Sequence, residues 1–233
     1  MNKTELLKYL NTYEIDCSEE QLDLLMLLME STLSENEKFN LTAIKDRDQF
    51  VEKMIFDSAI GLRDLDLSNK SIIDVGTGAG FPGMVIRILA KDAHVTLLDS
   101  TKKKIDYLKE FASNNNLKII GVNERAEDYS RNNPEKYDYA CARAVAQLSI
   151  LLEIITPLLK IGGTFIAYKG LGYEDEINAS KNAFKKLGLE IDHIYEITLP
   201  ECQEKRAIIY IKKTKETNKK YPRQYSEIKK KPL

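Results

Sequence analysis

The chain has 233 residues, of which 43% are hydrophobic and 30% charged, so it reads as one globular domain, or one domain with a small extension, that needs no covalent staples. Three widely spaced cysteines, Cys17, Cys141 and Cys202, without a C-x-x-C pair, argue against a disulfide framework or a zinc site and fit a reducing, cytoplasmic setting. The net charge of −1 hides a polarity along the chain: residues 1–37 hold nine acids against two lysines, and Lys205 to the end holds eleven Lys/Arg against two glutamates.

The amino terminus, MNKTELLKYL, has no long apolar stretch and predicts no secretory signal. Residues 1–65 read as a helical extension packed on the main domain. Within it, Ser18 followed by Gln21 makes a capping box for a helix over 18–36. Leu22, Leu25, Met26 and Met29 then recur at helical spacing, an apolar face that needs a partner and is read as core. Residues 66–214 alternate strand and helix. SIIDVG is a strand, followed by a glycine turn and a helix in PGMVIRILAK that begins at Pro82. HVTLLDS, a charged helix over 102–115, LKIIGVNE and YDYACARA follow. Next come a helix over 146–160 ended by IGG, the strand GTFIAYKG, a helix over 174–187, and the strands EIDHIYEITL and RAIIYIKK. This order predicts an α/β, Rossmann-like fold: a mostly parallel seven-stranded sheet with helices on both faces. The last two strands have no helix between them and are expected to pair antiparallel at one edge. The longest apolar run, SILLEIITPLL, is too short to span a bilayer and carries Glu153. Residues 215–233 form a basic tail, and an acidic front with a basic tail predicts that the tail meets a polyanion.

Ligands of such sheets bind at the carboxyl ends of the strands, so the motifs should converge there. The turn DVGTGAGFPG fits two templates. Gly78, Gly80 and Gly83 make the G-x-G-x-x-G of dinucleotide sites, and Asp74, Gly76, Gly78 and Gly80 make the D-x-G-x-G-x-G of S-adenosylmethionine (SAM) sites. Asp74 favours the second, because a buried carboxylate needs a positive partner and the ammonium of a methionine moiety supplies one, whereas a pyrophosphate would be repelled. The alternative for Asp74 is a cap of the turn. Asp99, at the end of the second strand, is placed to accept from the hydroxyls of a ribose, which both cofactors carry. Ala126 and Glu127 follow the third strand, where SAM folds line the adenine, and a carboxylate there can accept from the exocyclic amine; the alternative for this stretch is a polar loop. A hydride-transfer enzyme would also need an acid/base, but there is no Y-x-x-x-K and the two histidines, His94 and His193, sit in strand-like segments.

Together, FNLTAI at 39–44, DVGTGAGFPG, ARAVA at 142–146, YKG at 168–170 and the ending YPR…KKPL resemble the bacterial glucose-inhibited division protein B family nearly end to end. These are methyltransferases that modify guanine N7 in small-subunit ribosomal RNA. The resemblance implies a class I SAM-dependent methyltransferase fold with an N-terminal helical extension. It also implies contacts to SAM from Gly76, Phe81, Ala126, Glu127 and Arg143. The chain departs from the family pattern at Met54, where K/R-H-I-x-D-S has histidine, and after YPR, where relatives often carry a glycine turn.

Guanine N7 has an in-plane lone pair and no proton, so it can attack the sulfonium methyl in line, without a general base and without metal. Catalysis is then positioning and electrostatics. A donor should hold O6 while N7 stays free. Arg143 and Lys169, at the carboxyl ends of the fourth and fifth strands, are the catalytic candidates. The tail residues Lys219, Lys220, Arg223, Lys229, Lys230 and Lys231 are expected to grip RNA phosphates, with Tyr221 and Tyr225 interleaved either to stack on bases or to pack the tail onto the domain. The expected partner is small-subunit ribosomal RNA or the ribosomal subunit, with no membrane and no obligate protein partner. Two alternatives are a small-molecule methyltransferase, which would not need the tail, and a non-catalytic RNA-binding protein with a relic SAM site.

Overall fold

In the computed structural model, which describes residues 1–233, residues 1–65 form helices α1 (Lys3–Thr12) and α2 (Glu19–Asn36) and a third helical run. That run is α3 (Arg47–Phe50), a π-helical segment (Val51–Phe56) and α4 (Asp57–Ile60). The predicted capping box is present: the Ser18 side chain accepts from the Gln21 N–H, and the Gln21 side chain accepts from the Ser18 N–H. The Gln21 amide also donates to the carbonyls of Ile88 and Leu89. One residue therefore both starts the helix and ties it to the main sheet layer.

The main layer follows as β1 (Ser71–Val75), α5 (Gly83–Leu89), β2 (His94–Asp99), α6 (Lys102–Asn114), β3 (Ile119–Asn123), α7 (Ala126–Asn132), β4 (Tyr137–Arg143) and α8 (Leu148–Ile155). After a 3₁₀ turn come β5 (Leu159–Lys169), α9 (Tyr173–Ala179), α10 (Lys181–Leu187), β6 (Leu189–Thr198), β7 (Lys205–Lys213) and α11 (Tyr225–Lys230). The strands form one sheet in the order β3-β2-β1-β4-β5-β7-β6. The first five are parallel, and β7 runs antiparallel to both β5 and β6, as a hairpin without a crossover helix requires. This is the predicted mostly parallel seven-stranded sheet.

Alternate residues of each central strand feed two separate cores, because strand side chains point to opposite faces with a period of two. Ile72, Ile166, Tyr168, Ile208 and Tyr210 join the core that includes α1 to α6. Ile73, Phe165, Ala167, Ile209 and Ile211 join the core on α7, α8 and α10. Burying each such large apolar side chain is worth about 1.5–3 kcal/mol. Two hydroxyls pin the first core across the chain: Tyr168 donates to the Ser58 carbonyl and Tyr210 to the Gly61 carbonyl. Leu22, Leu25 and Met29 of α2 are fully buried in that core, which is the partner their spacing called for.

Three local expectations change. The helix expected over 146–160 ends at Ile155, and the IGG that was to end it lies inside β5. The helix expected over 174–187 breaks at buried Ser180, whose hydroxyl bonds back to the Glu176 carbonyl. The basic tail is not a free arm: it ends in α11, and Tyr221 and Ile228 are buried.

Candidate active site

A cavity of about 970 Å³ opens at the carboxyl ends of β1, β2, β4 and β5, where the fold places ligands. Its near wall is backbone. Gly76, Gly78 and Gly80 take positive φ and fold the chain back between β1 and α5; Gly76 and Gly78 line the cavity, whereas Gly80, an expected cofactor contact, sits behind the turn against Leu108 and Met84. At Gly78, a Cβ would meet only the Gly76 carbonyl oxygen at 3.9 Å, so the backbone lies open to the cavity. The Gly78 N–H donates to Asp99 Oδ2 at 3.0 Å and the Thr101 N–H donates to Asp99 Oδ1 at 2.8 Å. Each Asp99 oxygen accepts one bond from the chain and keeps acceptor capacity at the cavity. The predicted ribose-binding residue is thus held in place by the glycine turn.

Asp74 is placed differently from the expected cofactor contact. It is 1% exposed and does not line the cavity. One oxygen accepts from the Thr77 hydroxyl at 2.6 Å and the Gly83 N–H at 2.8 Å, so it braces the turn from behind, as the capping alternative has it. Its other oxygen has no hydrogen-bond partner. Burial pushes the Asp74 carboxyl up to about 6, against the lowering pull of Thr77 and Gly83.

Ala126 and Glu127 border the cavity at the start of α7, a helix where the sequence reading left a loop open. Glu127 is buried, and its carboxylate accepts from Arg125 Nε at 3.1 Å. Phe81 also borders the cavity, in edge contact with Phe50, with the Arg143 guanidinium 5.8 Å from its ring centre.

The far wall is made of side chains. Arg143, at the end of β4, donates through Nη1 to the carbonyls of Lys53 (3.0 Å) and Met54 (3.4 Å) and to Asp57 Oδ2 (3.3 Å). Its Nη2 donates to the Met54 thioether at 3.1 Å. The π-helical turn of the N-terminal extension therefore positions Arg143, a use such turns often have. Met54, standing where the family pattern has histidine, serves as an acceptor for the arginine. Nε and one Nη2 hydrogen of Arg143 keep no protein partner. Lys169 is not a free surface lysine: its Nζ donates to Glu176 Oε2 at 2.7 Å and the Ala146 carbonyl at 3.1 Å. The register sets Arg143 opposite Tyr168, so Lys169 projects from the other face of the sheet, and both still reach the same cavity.

Two tail candidates turn inward. Tyr221 is 7% exposed and packs in the second core, so it is not available to stack on a base. Arg223 is held by fully buried Glu153 of α8 through its backbone N–H and through Nε and Nη2, at 2.6–3.0 Å. A carboxylate at zero exposure demands such a partner. Lys219, Lys220, Lys229, Lys230 and Lys231 are exposed.

Residue reading did not single out Asp57, buried between Arg143 and Arg206, nor Ile150, whose spacing in α8 read only as helix. The signal for Asp57 lay in KMIFDS, where a carboxylate interrupts an apolar run. Neither histidine lines the cavity, no group of three or more His, Cys, Asp or Glu is disposed to hold a metal, and no helix is long and apolar enough to cross a membrane.

The open glycine backbone, the Asp99 oxygens and the apolar border beside Glu127 suit a nucleoside with a charged tail. Comparison with known proteins agrees. Residues 21–221 match the family model described as GidB, rRNA small subunit methyltransferase G. A protein named ribosomal RNA small subunit methyltransferase G from Caldicellulosiruptor bescii is 43% identical over 90% of this chain and 91% of its own length. Its namesake from Fusobacterium nucleatum is 40% identical over 96% and 97%, and that from Lactobacillus johnsonii 38% over the whole of both chains. In fold, the chain resembles TYW2 of M. jannaschii in complex with AdoMet, with a TM-score of 0.56 at 15% identity over 73% of this chain and 79% of that one. TYW2 of P. horikoshii in complex with MeSAdo gives 0.56 at 13% identity over 68% and 62%.

Proposed function

The chain belongs to the rRNA small subunit methyltransferase G family, a SAM-dependent methyltransferase acting on small-subunit ribosomal RNA, and we propose that the atom it methylates is N7 of a guanine. SAM, when bound, supplies an electrophilic methyl on a sulfonium. Asp99 would hold the ribose hydroxyls, Ala126 and Glu127 would border the adenine, and Gly76, Gly78 and Phe81 would frame the rest of the cofactor, with Gly80 shaping the turn from behind. Asp74 supports this frame from behind by fixing Thr77 and Gly83.

Arg143 is the donor for O6 of the target base. Its Nη1 is anchored on Lys53, Met54 and Asp57, so Nε and the remaining Nη2 hydrogen are aimed without reorganisation. Lys169, held by Glu176 and the Ala146 carbonyl, keeps its third ammonium hydrogen as a donor on the opposite face of the sheet. Guanine N7 carries no proton, so neither residue has to act as a base and no metal is called for. The target base would leave its stack to reach the cavity or already lie in a loop. Lys219, Lys220, Lys229, Lys230 and Lys231 would contact the phosphates, which makes binding steeply salt-dependent. A cytoplasmic location goes with this substrate.

The observation that carries the reading is that one cavity joins the backbone of the glycine turn to an arginine fixed by a distant helix. The test is transfer of label from methyl-labelled SAM to deproteinised small-subunit RNA and to intact subunits in parallel, followed by nucleoside digestion. Label in 7-methylguanosine is expected. Label in any other nucleoside would refute the N7 assignment.

A further inference from the structure

We propose that helix α11 is a wall of the cofactor cavity at its nucleoside end, with the Tyr225 ring packing against the purine; this rests on the placement of SAM given above. The charge pattern of the tail read Tyr225 as a base-stacking residue for RNA, but its surroundings point inward. The ring is half-buried and lines the same cavity as Ala126, Glu127 and Ile150. It packs with Ala126 against the small core of Ile150, Ile154 and Ile228, and the guanidinium of Arg125, which also borders the cavity, lies 5.1 Å from its centre.

The helix that carries Tyr225 is clamped at both ends. Arg223, two residues before it, is bound by the fully buried Glu153. The same guanidinium donates through Nη2 to the Lys231 carbonyl at 3.1 Å, just after the last turn. Ile228 is completely buried between them. A six-residue helix could not hold a ring in place alone, but this one is fixed by an ion pair and an apolar plug. A purine has two flat faces and a polar edge. The wall offers matching surfaces: an aromatic ring and aliphatic carbons for the face, and the Glu127 carboxylate for the edge.

The test measures binding of S-adenosylhomocysteine and of 5′-methylthioadenosine, which keeps the nucleoside and lacks the amino-acid part, to the full-length protein by titration calorimetry. Tyr225→Ala is expected to weaken both ligands by about tenfold, the size of one lost aromatic stack. Tyr225→Phe, which keeps the ring, and Ser226→Ala, an exposed neighbour on the same helix, should stay within about twofold of the parent. If the unliganded Tyr225→Ala protein melts earlier than the parent, Tyr225→Leu restores the bulk without the ring and is expected to show the same loss. Unchanged affinity for both ligands in the ring-less variants would overturn the proposal while leaving the cofactor site intact. Loss of S-adenosylhomocysteine binding with 5′-methylthioadenosine unaffected would also overturn it, by placing the ring at the wrong end. A parent protein that binds neither ligand would refute the cofactor reading itself, and the wall with it.

Discussion

The two walls of the cavity are built by opposite means. The near wall is ten consecutive residues, DVGTGAGFPG, and works through backbone: open N–H groups, positive φ, and Asp74 and Asp99 holding the turn. The far wall is made of side chains brought together from the ends of the chain. Arg143 rests on residues 53–57, and Tyr225 borders the cavity from a helix anchored outside it by the Glu153–Arg223 pair. A backbone wall is sensitive to added atoms and tolerant of local side-chain change. A side-chain wall is sensitive to deletion, because each group removed leaves a committed partner behind. The first kind can be recognised from a short motif, and the second cannot.

The largest expected effect is on the ion pair that anchors the far wall. Arg223→Ala leaves the Glu153 carboxylate buried without a countercharge and should destabilise the protein by about 3–5 kcal/mol in urea unfolding. A Glu153→Leu, Arg223→Leu double variant should recover most of that loss, since no unpaired charge remains. Arg143→Ala should lower kcat for RNA methylation by about 10²–10³, the scale of losing one preorganised donor, while affinity for S-adenosylhomocysteine changes little. If affinity fell as far as kcat, Arg143 would belong to cofactor binding and the contrast between the walls would blur.

On the near wall, Asp74 makes a prediction with a definite sign. Its folded carboxyl titrates at about 6, above the ordinary value of about 3.9, so the folded state favours the protonated form. The associated stability is present below pH about 4 and lost as pH rises through about 6, a change of about 2–3 kcal/mol. Subtracting the unfolding free energy of Asp74→Asn from that of the parent, across pH 4–8, should give this downward slope and a plateau above it. A flat difference would mean that the carboxylate finds a partner for its second oxygen. Gly80→Ala is expected to cost about 1–3 kcal/mol: the residue holds φ at +98°, and a Cβ would press on Leu108 and Met84 at 2.6 and 2.7 Å. The smallest effect belongs to Met54→Leu, which removes only the thioether acceptor of Arg143 Nη2. A loss in kcat of less than about tenfold is expected, because the Nη1 contacts to two carbonyls and Asp57 remain.

What could be read from sequence follows the range of the physics. The capping box at Ser18 and Gln21 is a three-residue pattern and was legible as such. The ends of the helix after β4 were not, because whether IGG stops a helix or bends a strand depends on the pairing of β5 with β4. Asp99 was legible from its distance to the glycine turn. That Tyr225 borders the cavity was not, since the lysines on either side of it carry no signal of which way the ring turns.

By itself, the order of short apolar strands, helices and turn residues determined the α/β sheet, the antiparallel last pair and the position of the glycine turn, because backbone periodicity and capping act over a few residues. The motif combination determined the family. Only the tertiary structure decided that Asp74 faces away from the cavity, that Lys169 is held by Glu176, that Arg143 is aimed by residues some 90 positions earlier, and that Arg223 and Tyr221 turn inward. Each of these depends on which side chains meet across the sheet. That is set by packing between segments far apart in the chain, where no local pattern carries the information.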